Sequence, residues 1–338
     1  MPEIRQDPTT REWVIIATER GKRPHEFKSL ATHTERVCRS CVFCPGNESQ
    51  ATPEVWRLER NGRWRIRVVA NKFPALTGEA TGLRHEIPPF YRRMDGFGYH
   101  EVIIETPEHD RTLPCMREGE LVDVLLTYRQ RYQALRADPR VKLVLLFKNH
   151  GERAGTSIVH PHSQVIATPV IPIHIRRKYE IAVQHYDDTG RCLYCDIVDA
   201  EDRQGQRVVE RSDQFLVFEP YASRFPFETW IAPIRHSSSF GSLTDQELPE
   251  LARVLGNTLR RLHKALEDPH FNLLILTAPV EDESKAYFLW HIEIIPRLTT
   301  PAGFELGSGM HVNPCVPEEA ARFLREASNV KLLETATM

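Results

Sequence analysis

The run His160-Pro161-His162-Ser163-Gln164 contains the residue types best suited to chemistry. Side chains alternate along a strand, so two histidines two positions apart should face the same way, with Gln164 beside them. A neutral imidazole can attack phosphorus when one ring nitrogen donates a hydrogen bond, here to the carbonyl of His160, and the other presents its lone pair. We therefore predict His162 as a nucleophile and Gln164 as a donor to a phosphoryl oxygen. A lone His-x-His is also common as a metal-binding pair or as two surface histidines.

A loop with two glycines precedes this run. Backbone N–H groups of such loops can approach phosphate oxygens closely. The alternative interpretation is a simple turn, because glycine and serine are frequent in turns. We predict that the loop contacts phosphate through Asn149, Gly151, Gly155 and Thr156, and we group Ser157 with the catalytic residues.

Four of the seven cysteines form two separated Cys-x-x-Cys pairs. Two such thiolates and two histidines make the tetrahedral set that Zn²⁺ favours, and four protein ligands leave no open position for water. A single pair could equally be two unpaired thiols, and Cys38-x-x-Cys41 offers the same spacing. The turn-forming residues after Cys44 favour Cys41 and Cys44, which leaves Cys38 free. We predict two structural zinc sites, one formed by Cys41, Cys44, His109 and His160, the other by Cys192, Cys195, His236 and His291.

The order Cys-x-x-Cys, strand, His, helix, strand, His occurs twice along the chain. In the first half, an apolar helix face from Leu121 to Leu135 precedes the strand 143–147; in the second, a capping box at Thr244 and Glu247 opens a helix before the strand 271–276. This repetition predicts an α+β fold of two like modules, residues 1–178 and 179–338, joined near residues 176–190. Aligned on His160, the second copy has His291, so we expect it to keep the zinc ligand and to lack the nucleophile.

Composition excludes some classes of partner. The 44 basic and 46 acidic residues give a formal net charge of −2, which provides no global field to attract nucleic acid or an anionic membrane. The N-terminus has no apolar stretch behind a basic start, and no uncharged apolar run approaches the ~20 residues that span a bilayer. We therefore expect a cytoplasmic protein without nucleic-acid or membrane partners.

Four motifs together resemble the galactose-1-phosphate uridylyltransferase family, the transferase branch of the histidine-triad superfamily. They are Cys41-Val-Phe-Cys-Pro-Gly-Asn47, Asn71-Lys-Phe-Pro74, Glu105-Thr-Pro-Glu-His109 and Gly155-x-Ser-x-x-His-Pro-His-x-Gln164. The resemblance runs from about Trp13 to the C-terminus. It implies two tandem histidine-triad-like modules, each an antiparallel sheet with a packed helix. It also implies a homodimer with active sites near the interface, and double displacement through His162 between a nucleoside-diphosphate sugar and a hexose 1-phosphate.

The resemblance also implies roles for individual residues. Arg20, Lys22 and Arg23 align with a phosphate-handling cluster, which by itself would be read as a solvated loop, and Asn71 and Phe73 align with nucleoside contacts. The tail near Gly303 and Phe304 departs from the run by which family members hold the hexose, although its backbone amides remain candidate sugar contacts. The positions aligned with a second metal site of some members are Lys178, Leu276, His291 and Glu293, so that site should be absent.

Four functions fit these observations. The first is exchange of UMP between UDP-glucose and galactose 1-phosphate, and the alternative within the same chemistry is an ADP-sugar phosphorylase or adenylyltransferase that uses the same histidine. A nucleotide-binding or zinc-scaffold protein without turnover is disfavoured by the intact His162 and Gln164. A dinucleotide hydrolase is disfavoured because two modules are large enough to bury an acceptor sugar.

Overall fold

The computed structural model describes residues 2–17, 27 and 41–327. The strands are β1 (Glu3–Gln6), β2 (Trp13–Ile16), β3 (Glu54–Arg60), β4 (Arg63–Ala70), β5 (Arg84–Ile87), β6 (Tyr91–Met94), β7 (Tyr99–Ile104), β8 (Leu143–His150), β9 (His162–Thr168), β10 (Val208–Arg211), β11 (Phe215–Phe218), β12 (Thr229–Pro233), β13 (Phe271–Leu276), β14 (His291–Pro296) and β15 (Val312–Asn313). The α-helices are α1 (Glu118–Arg136), α2 (Ile173–Thr189), α3 (Leu193–Gln204), α4 (Leu248–Ala265), α5 (Gly303–Ser308) and α6 (Pro317–Ala327).

The architecture is built on one ten-stranded sheet, in the order β10-β11-β12-β14-β13-β8-β9-β7-β4-β3. Every neighbouring pair in it is antiparallel, which confirms the predicted α+β class with an antiparallel sheet. At its centre β8 pairs with β13, with Phe271 opposite His150 and Ile275 opposite Leu146. The two halves of the chain therefore share a single hydrogen-bonded sheet.

Helices α1 and α4 cover one face of this sheet. Leu121, Leu125 and Tyr128 lie on one side of α1 and are buried with Leu251 and Leu255 of α4, as the helical spacing of apolar residues predicts. Strand residues that point to this face, such as Val165 and Ala167 of β9, complete the main core.

A capping box precedes α4. The N–H of Thr244 donates to the carboxylate of Glu247 at 2.8 Å, and the N–H of Glu247 donates back to the Thr244 hydroxyl at 3.3 Å. These reciprocal bonds satisfy donors that the first turn of a helix leaves unpaired. They confirm the cap predicted from the sequence.

The opposite face of the sheet differs between the two halves. Over β11, β12 and the β13–β14 connection, helices α2 and α3 pack against a second cluster that includes Trp230 and Phe288. The segment predicted to join the modules is thus helix α2, and the predicted boundary after Lys178 falls inside it. Over β8 and β9 this face carries the polar residues of the candidate site.

Two smaller strand groups lie outside the main sheet. Strands β1, β2 and β15 form a three-stranded sheet, and β5 and β6 form a hairpin with the exposed residues Phe90 and Tyr91 near its turn. Among the described residues, none of the helices combines the length and the apolar character needed to cross a bilayer.

Candidate active site and metal clusters

His162 is the first residue of β9 and is 8% exposed. Its Nδ1 lies 2.8 Å from the carbonyl oxygen of His160. A carbonyl only accepts, so Nδ1 carries the proton and Nε2 presents its lone pair. Burial lowers the pKa of His162 below its ordinary value, which keeps the ring neutral at neutral pH. The carbonyl of His160 is therefore the acceptor that the sequence predicted, and the free Nε2 of His162 is suited to nucleophilic attack.

The lowered pKa of His162 predicts the pH dependence of its reaction. Only the neutral ring can attack, so a pKa below the ordinary value of 6.5 moves the acid limb of the profile to lower pH. Across the range from about pH 8 to about pH 5, we expect the rate of adduct formation to fall with a midpoint below the ordinary value of 6.5. Single-turnover rates across this range would check it. A midpoint above the ordinary value would contradict the role given to burial.

The loop after β8 is shaped by a glycine and by an asparagine from the second half of the chain. Gly151 has φ of 82°, and a Cβ there would lie 2.1 Å from Cδ2 of His270, so only glycine fits. Asn272 Nδ2 donates to Asn149 Oδ1 at 2.9 Å and to the Ala154 carbonyl at 2.9 Å. Because the Asn149 oxygen is engaged there, its NH2 group is the donor that remains for an anion.

Most of the other residues predicted to contact substrate lie at exposed positions or outside the described residues. Phe73 is 81% exposed, Ser157 is exposed, and the Thr156 hydroxyl donates to the Ile158 carbonyl at 3.2 Å. Gly303 and Phe304 begin the short helix α5, where Phe304 is exposed. Arg20, Lys22, Arg23 and Cys38 lie outside the described residues. The roles of all these residues stay predictions.

A buried charged pair that sequence reasoning missed lies beneath β9. Lys148 Nζ lies 2.7 Å from Glu105 Oε2 and 3.1 Å from the carbonyl oxygen of His162. Tyr128 and Ser163 donate to the other Glu105 oxygen. Burial raises the pKa of Glu105, but the Lys148 charge and these hydrogen bonds outweigh it, so the pKa lies below its ordinary value. The hydrogen bond from Lys148 Nζ to the carbonyl oxygen holds the backbone of His162 in place. The sequence signal of the pair was a charge within one apolar strand, Lys148 in β8, and a charge directly after another, Glu105 after β7; burying such charges is costly unless they pair.

The first predicted metal set comes together. Cys41, Cys44, His109 and His160 are all buried, and their ligand atoms lie within 4.8 Å of one another. The Nε2 of His160 lies 2.8 Å from the Thr106 carbonyl and therefore carries the proton, so Nδ1 faces Cys44 Sγ, 3.5 Å away, with its lone pair. Burial lowers the pKa of His160 to about 4, which keeps it neutral as a ligand must be. This donor set suits a soft or borderline divalent cation.

The first metal set also contacts the nucleophile. Phe43, between the two cysteines, places its ring 5.5 Å from that of His162 and 6.0 Å from that of His160 in edge-on contacts. The loop that would hold the metal thus forms one wall of the candidate active site.

The second cluster contains three of the four predicted ligands. Ligand atoms of Cys192, Cys195 and His236 lie within 4.8 Å of one another. The hydrogen bond with Cys195, and then that with His236, lowers the pKa of the Cys192 thiol to about 5, and the same bond raises the pKa of Cys195. Without a metal ion the pair therefore holds one negative charge, on Cys192. His236 is exposed, so this cluster is open to solvent.

His291, the predicted fourth ligand, lies outside this cluster in the structure. Its Nδ1 lies 3.0 Å from the Leu289 carbonyl, and its ring is stacked between Trp230 and Tyr194, with centroids 4.5 and 5.1 Å away. Like His162, it begins a strand and bonds the carbonyl two residues earlier, so its local geometry matches His162 rather than His160. At 1% exposure it is closed to substrate.

The first metal set yields a prediction for stability. Cys44→Ser removes one of two sulfur atoms from a buried four-residue set. If the set binds a metal ion, we expect loss of that metal equivalent, a lower melting temperature and slower chemistry through Phe43. Elemental analysis and thermal unfolding would check it. Cys115→Ser, at an exposed thiol outside both clusters, is the matched control. Full metal content and unchanged melting in Cys44→Ser would contradict the assignment.

The chain is similar to known proteins along almost its whole length. Sequence models of the N-terminal and C-terminal domains of galactose-1-phosphate uridyl transferase match residues 1–172 and 174–338. An ADP-glucose phosphorylase of Arabidopsis thaliana is 35% identical over 333 residues, covering 97% of this chain and 93% of that protein. A galactose-1-phosphate uridylyltransferase of Thermotoga maritima is 29% identical over 334 residues, covering 96% and 98%. A solved structure of the Arabidopsis thaliana ADP-glucose phosphorylase with bound ADP-glucose has a TM-score of 0.82 at 32% identity, covering 98% of this chain and 100% of that one.

The fold and these similarities define a nucleotidyltransferase. More particularly, the chain belongs to the galactose-1-phosphate uridyl transferase family, which confirms the resemblance drawn from its motifs.

Proposed function

We propose that this chain transfers a nucleoside monophosphate from a nucleoside-diphosphate sugar by double displacement through His162. The observation that carries the proposal is the neutral ring of His162, whose Nδ1 proton is held by the His160 carbonyl and whose Nε2 lone pair is presented beside Gln164. A positioned nucleophile of this kind divides one difficult transfer into two easier ones.

In the first step, Nε2 of His162 forms a bond to the α-phosphorus, and the bond from that phosphorus to the bridging oxygen breaks. The bridging oxygen leaves as part of a hexose 1-phosphate. The imidazole then carries a positive charge, which its Nδ1–H bond to the His160 carbonyl stabilises. In the second step, a phosphate oxygen of the acceptor attacks the same phosphorus and frees Nε2. The NH2 groups of Gln164 and Asn149 are suited to the charge that develops on the phosphoryl oxygens.

The first candidate donor is UDP-glucose, with galactose 1-phosphate as acceptor, because family models for both domains of galactose-1-phosphate uridyl transferase match the chain. The second is an ADP-sugar, with transfer of AMP through the same histidine. It is favoured by the 35% identity to an ADP-glucose phosphorylase, against 29% to the uridylyltransferase named above.

Intact-protein mass spectrometry would test both candidates. The enzyme is mixed separately with UDP-glucose and with ADP-glucose, without acceptor, and any adduct is mapped by peptide analysis. A UMP adduct on His162 from UDP-glucose alone supports uridylyl transfer, and an AMP adduct from ADP-glucose alone supports adenylyl transfer. Steady turnover without any covalent intermediate would overturn the mechanism.

We further propose that both Cys/His clusters bind zinc in a structural role. In the first, Cys41, Cys44, His109 and His160 would hold the ion and keep Phe43 against His162. In the second, three residues would hold it at the surface of the C-terminal half. At the first cluster bound zinc would supply only cross-linking, because four protein ligands leave no open position for water. Elemental analysis should find zinc in proportion to the intact clusters.

The predicted homodimer and the cytoplasmic location belong to the same proposal. The support for the dimer is the family resemblance, which implies active sites near a subunit interface. Light scattering after size-exclusion chromatography would measure the molecular mass, and a monomer at micromolar concentration would contradict it.

A further inference from the structure

His100 lies near the start of β7, outside every residue set predicted from the sequence. In the antiparallel register, Val102 is opposite Gln164 and His100 is opposite Ile166, so His100 and Gln164 are diagonal neighbours on one face. The N–H of Ala75 donates to Nδ1 of His100 at 3.1 Å. A backbone N–H can only donate, so Nδ1 must accept, and the neutral ring carries its proton on Nε2.

The Nε2 proton of His100 points towards Gln164 in the candidate active site. Nε2 of His100 lies 2.8 Å from Oε1 of Gln164, so His100 donates to the amide oxygen. Asn71 reinforces this orientation. Its Oδ1 accepts from the N–H of Phe73 at 2.8 Å, so its Nδ2 is a donor, and this nitrogen lies 3.4 Å from the same Gln164 oxygen. Asn71 Nδ2 also lies 3.1 Å from Nε2 of His100. Both nitrogens carry protons, so neither accepts from the other, and the Gln164 oxygen is the acceptor they share. Two backbone N–H groups thus determine, through two side chains, which end of the Gln164 amide is an acceptor.

The consequence concerns the other end of that amide. With two donors on its oxygen, Gln164 turns its NH2 group away from His100 and Asn71, on the face of β9 that also carries His162. A glutamine without these partners can rotate its amide by half a turn, which would place a carbonyl oxygen against the phosphoryl oxygens. That arrangement repels the developing negative charge instead of stabilising it.

We propose that His100 is a positioning residue that fixes the Gln164 amide with its NH2 group towards the transferred phosphoryl group. The inference rests on the function proposed for His162 and adds to it the group that orients its neighbour. His100 touches no reacting atom, so its effect must pass through Gln164.

The experiment compares His100→Phe, which keeps a ring but removes both hydrogen bonds, with His100→Gln, whose amide nitrogen can replace Nε2. We expect His100→Phe to slow single-turnover adduct formation on the order of 10- to 100-fold with little change in the dissociation constant of the nucleotide sugar. His100→Gln should recover most of that rate. His85→Phe, at a histidine that pairs with Asp95 in the exposed hairpin, is the matched control and should react at the wild-type rate.

A double-mutant cycle separates positioning from a general structural role. In a Gln164→Ala background there is no amide to orient, so His100→Phe should cause no further loss of rate. The same fold loss in that background would overturn the proposal. A wild-type rate for His100→Phe, with a normal adduct in the wild-type enzyme, would overturn this inference alone. Absence of any adduct in the wild-type enzyme would overturn the proposed function and this inference with it.

Discussion

A His162→Gly variant is expected to form no covalent adduct and to lose turnover by a factor on the order of 10⁴ or more, because it removes the nucleophile itself. Three histidines among the described residues are unsuited to replace it, and the first is His160, whose Nδ1 lone pair faces Cys44. Nε2 of His100 is protonated and donates to Gln164, and His291 is 1% exposed between two aromatic rings. Intact mass after exposure to each nucleotide sugar and steady-state rates would measure both effects.

The same variant should keep its metal and its fold. His160 presents Nδ1 to Cys44, and this contact does not involve the ring of His162. Elemental analysis and thermal unfolding should therefore stay near the wild-type values, which separates lost chemistry from lost structure. His85→Gly in the exposed hairpin is the control for a histidine-to-glycine change. Turnover within tenfold of wild type in His162→Gly would refute the mechanism.

The second large effect is expected from Lys148→Met, which should lower the free energy of unfolding by about 3–5 kcal/mol. The variant leaves Glu105 buried without its countercharge and removes the donor to the His162 carbonyl. Chemical denaturation would measure the loss. Lys142→Met is the matched control, since Lys142 pairs with Glu281 near the surface and should cost at most about 1 kcal/mol.

The sign of the pH dependence gives a sharper test of this pair. In the wild-type protein the pKa of Glu105 is lowered below its ordinary 4.5, so the stability from its ionised form is present above that pH and lost below it. In Lys148→Met the Lys148 charge and its hydrogen bond are lost, and we expect burial, the largest single influence on Glu105, to raise its pKa against the two hydrogen bonds that remain from Ser163 and Tyr128, so the native state binds a proton that the unfolded state does not. The stability difference between the two proteins should therefore shrink as the pH falls from about 7 to about 5. A difference that stays constant or grows would contradict the buried charge.

Elements with a strong local pattern were predictable from the sequence. The strand 271–276 was predicted with the bounds it has, and α1 and the cap before α4 followed from apolar spacing and from Thr244 and Glu247. The segment that forms helix α2 was interpreted as the joint between the modules because it is rich in charge, and only Lys178 and Ala182 of the helix are buried, so its apolar signal is weak.

Within the candidate site, only contacts between residues close in sequence were predictable. His162 and its partner carbonyl are two residues apart, so their contact followed from strand geometry. The contact of His100 with Gln164 spans 64 positions and that of Lys148 with Glu105 spans 43, and both depend on strand pairing that one sequence does not specify. The place of His291 was predicted from spacing alone. The structure instead fixes it through the start of β14 and the rings that enclose it.

The central pairing of β8 with β13 bears on how such a chain could arise and how it could be divided. These strands occupy matching places in the two halves, each after a long helix and before the strand that begins with His162 or His291. Antiparallel pairing of equivalent strands is what a two-fold axis between two copies of one polypeptide produces. The single chain therefore contains, between β8 and β13, a strand pairing of the kind that joins the two subunits of a dimer. A cut between the halves would leave each fragment with a bare sheet edge, ready to pair with any matching strand.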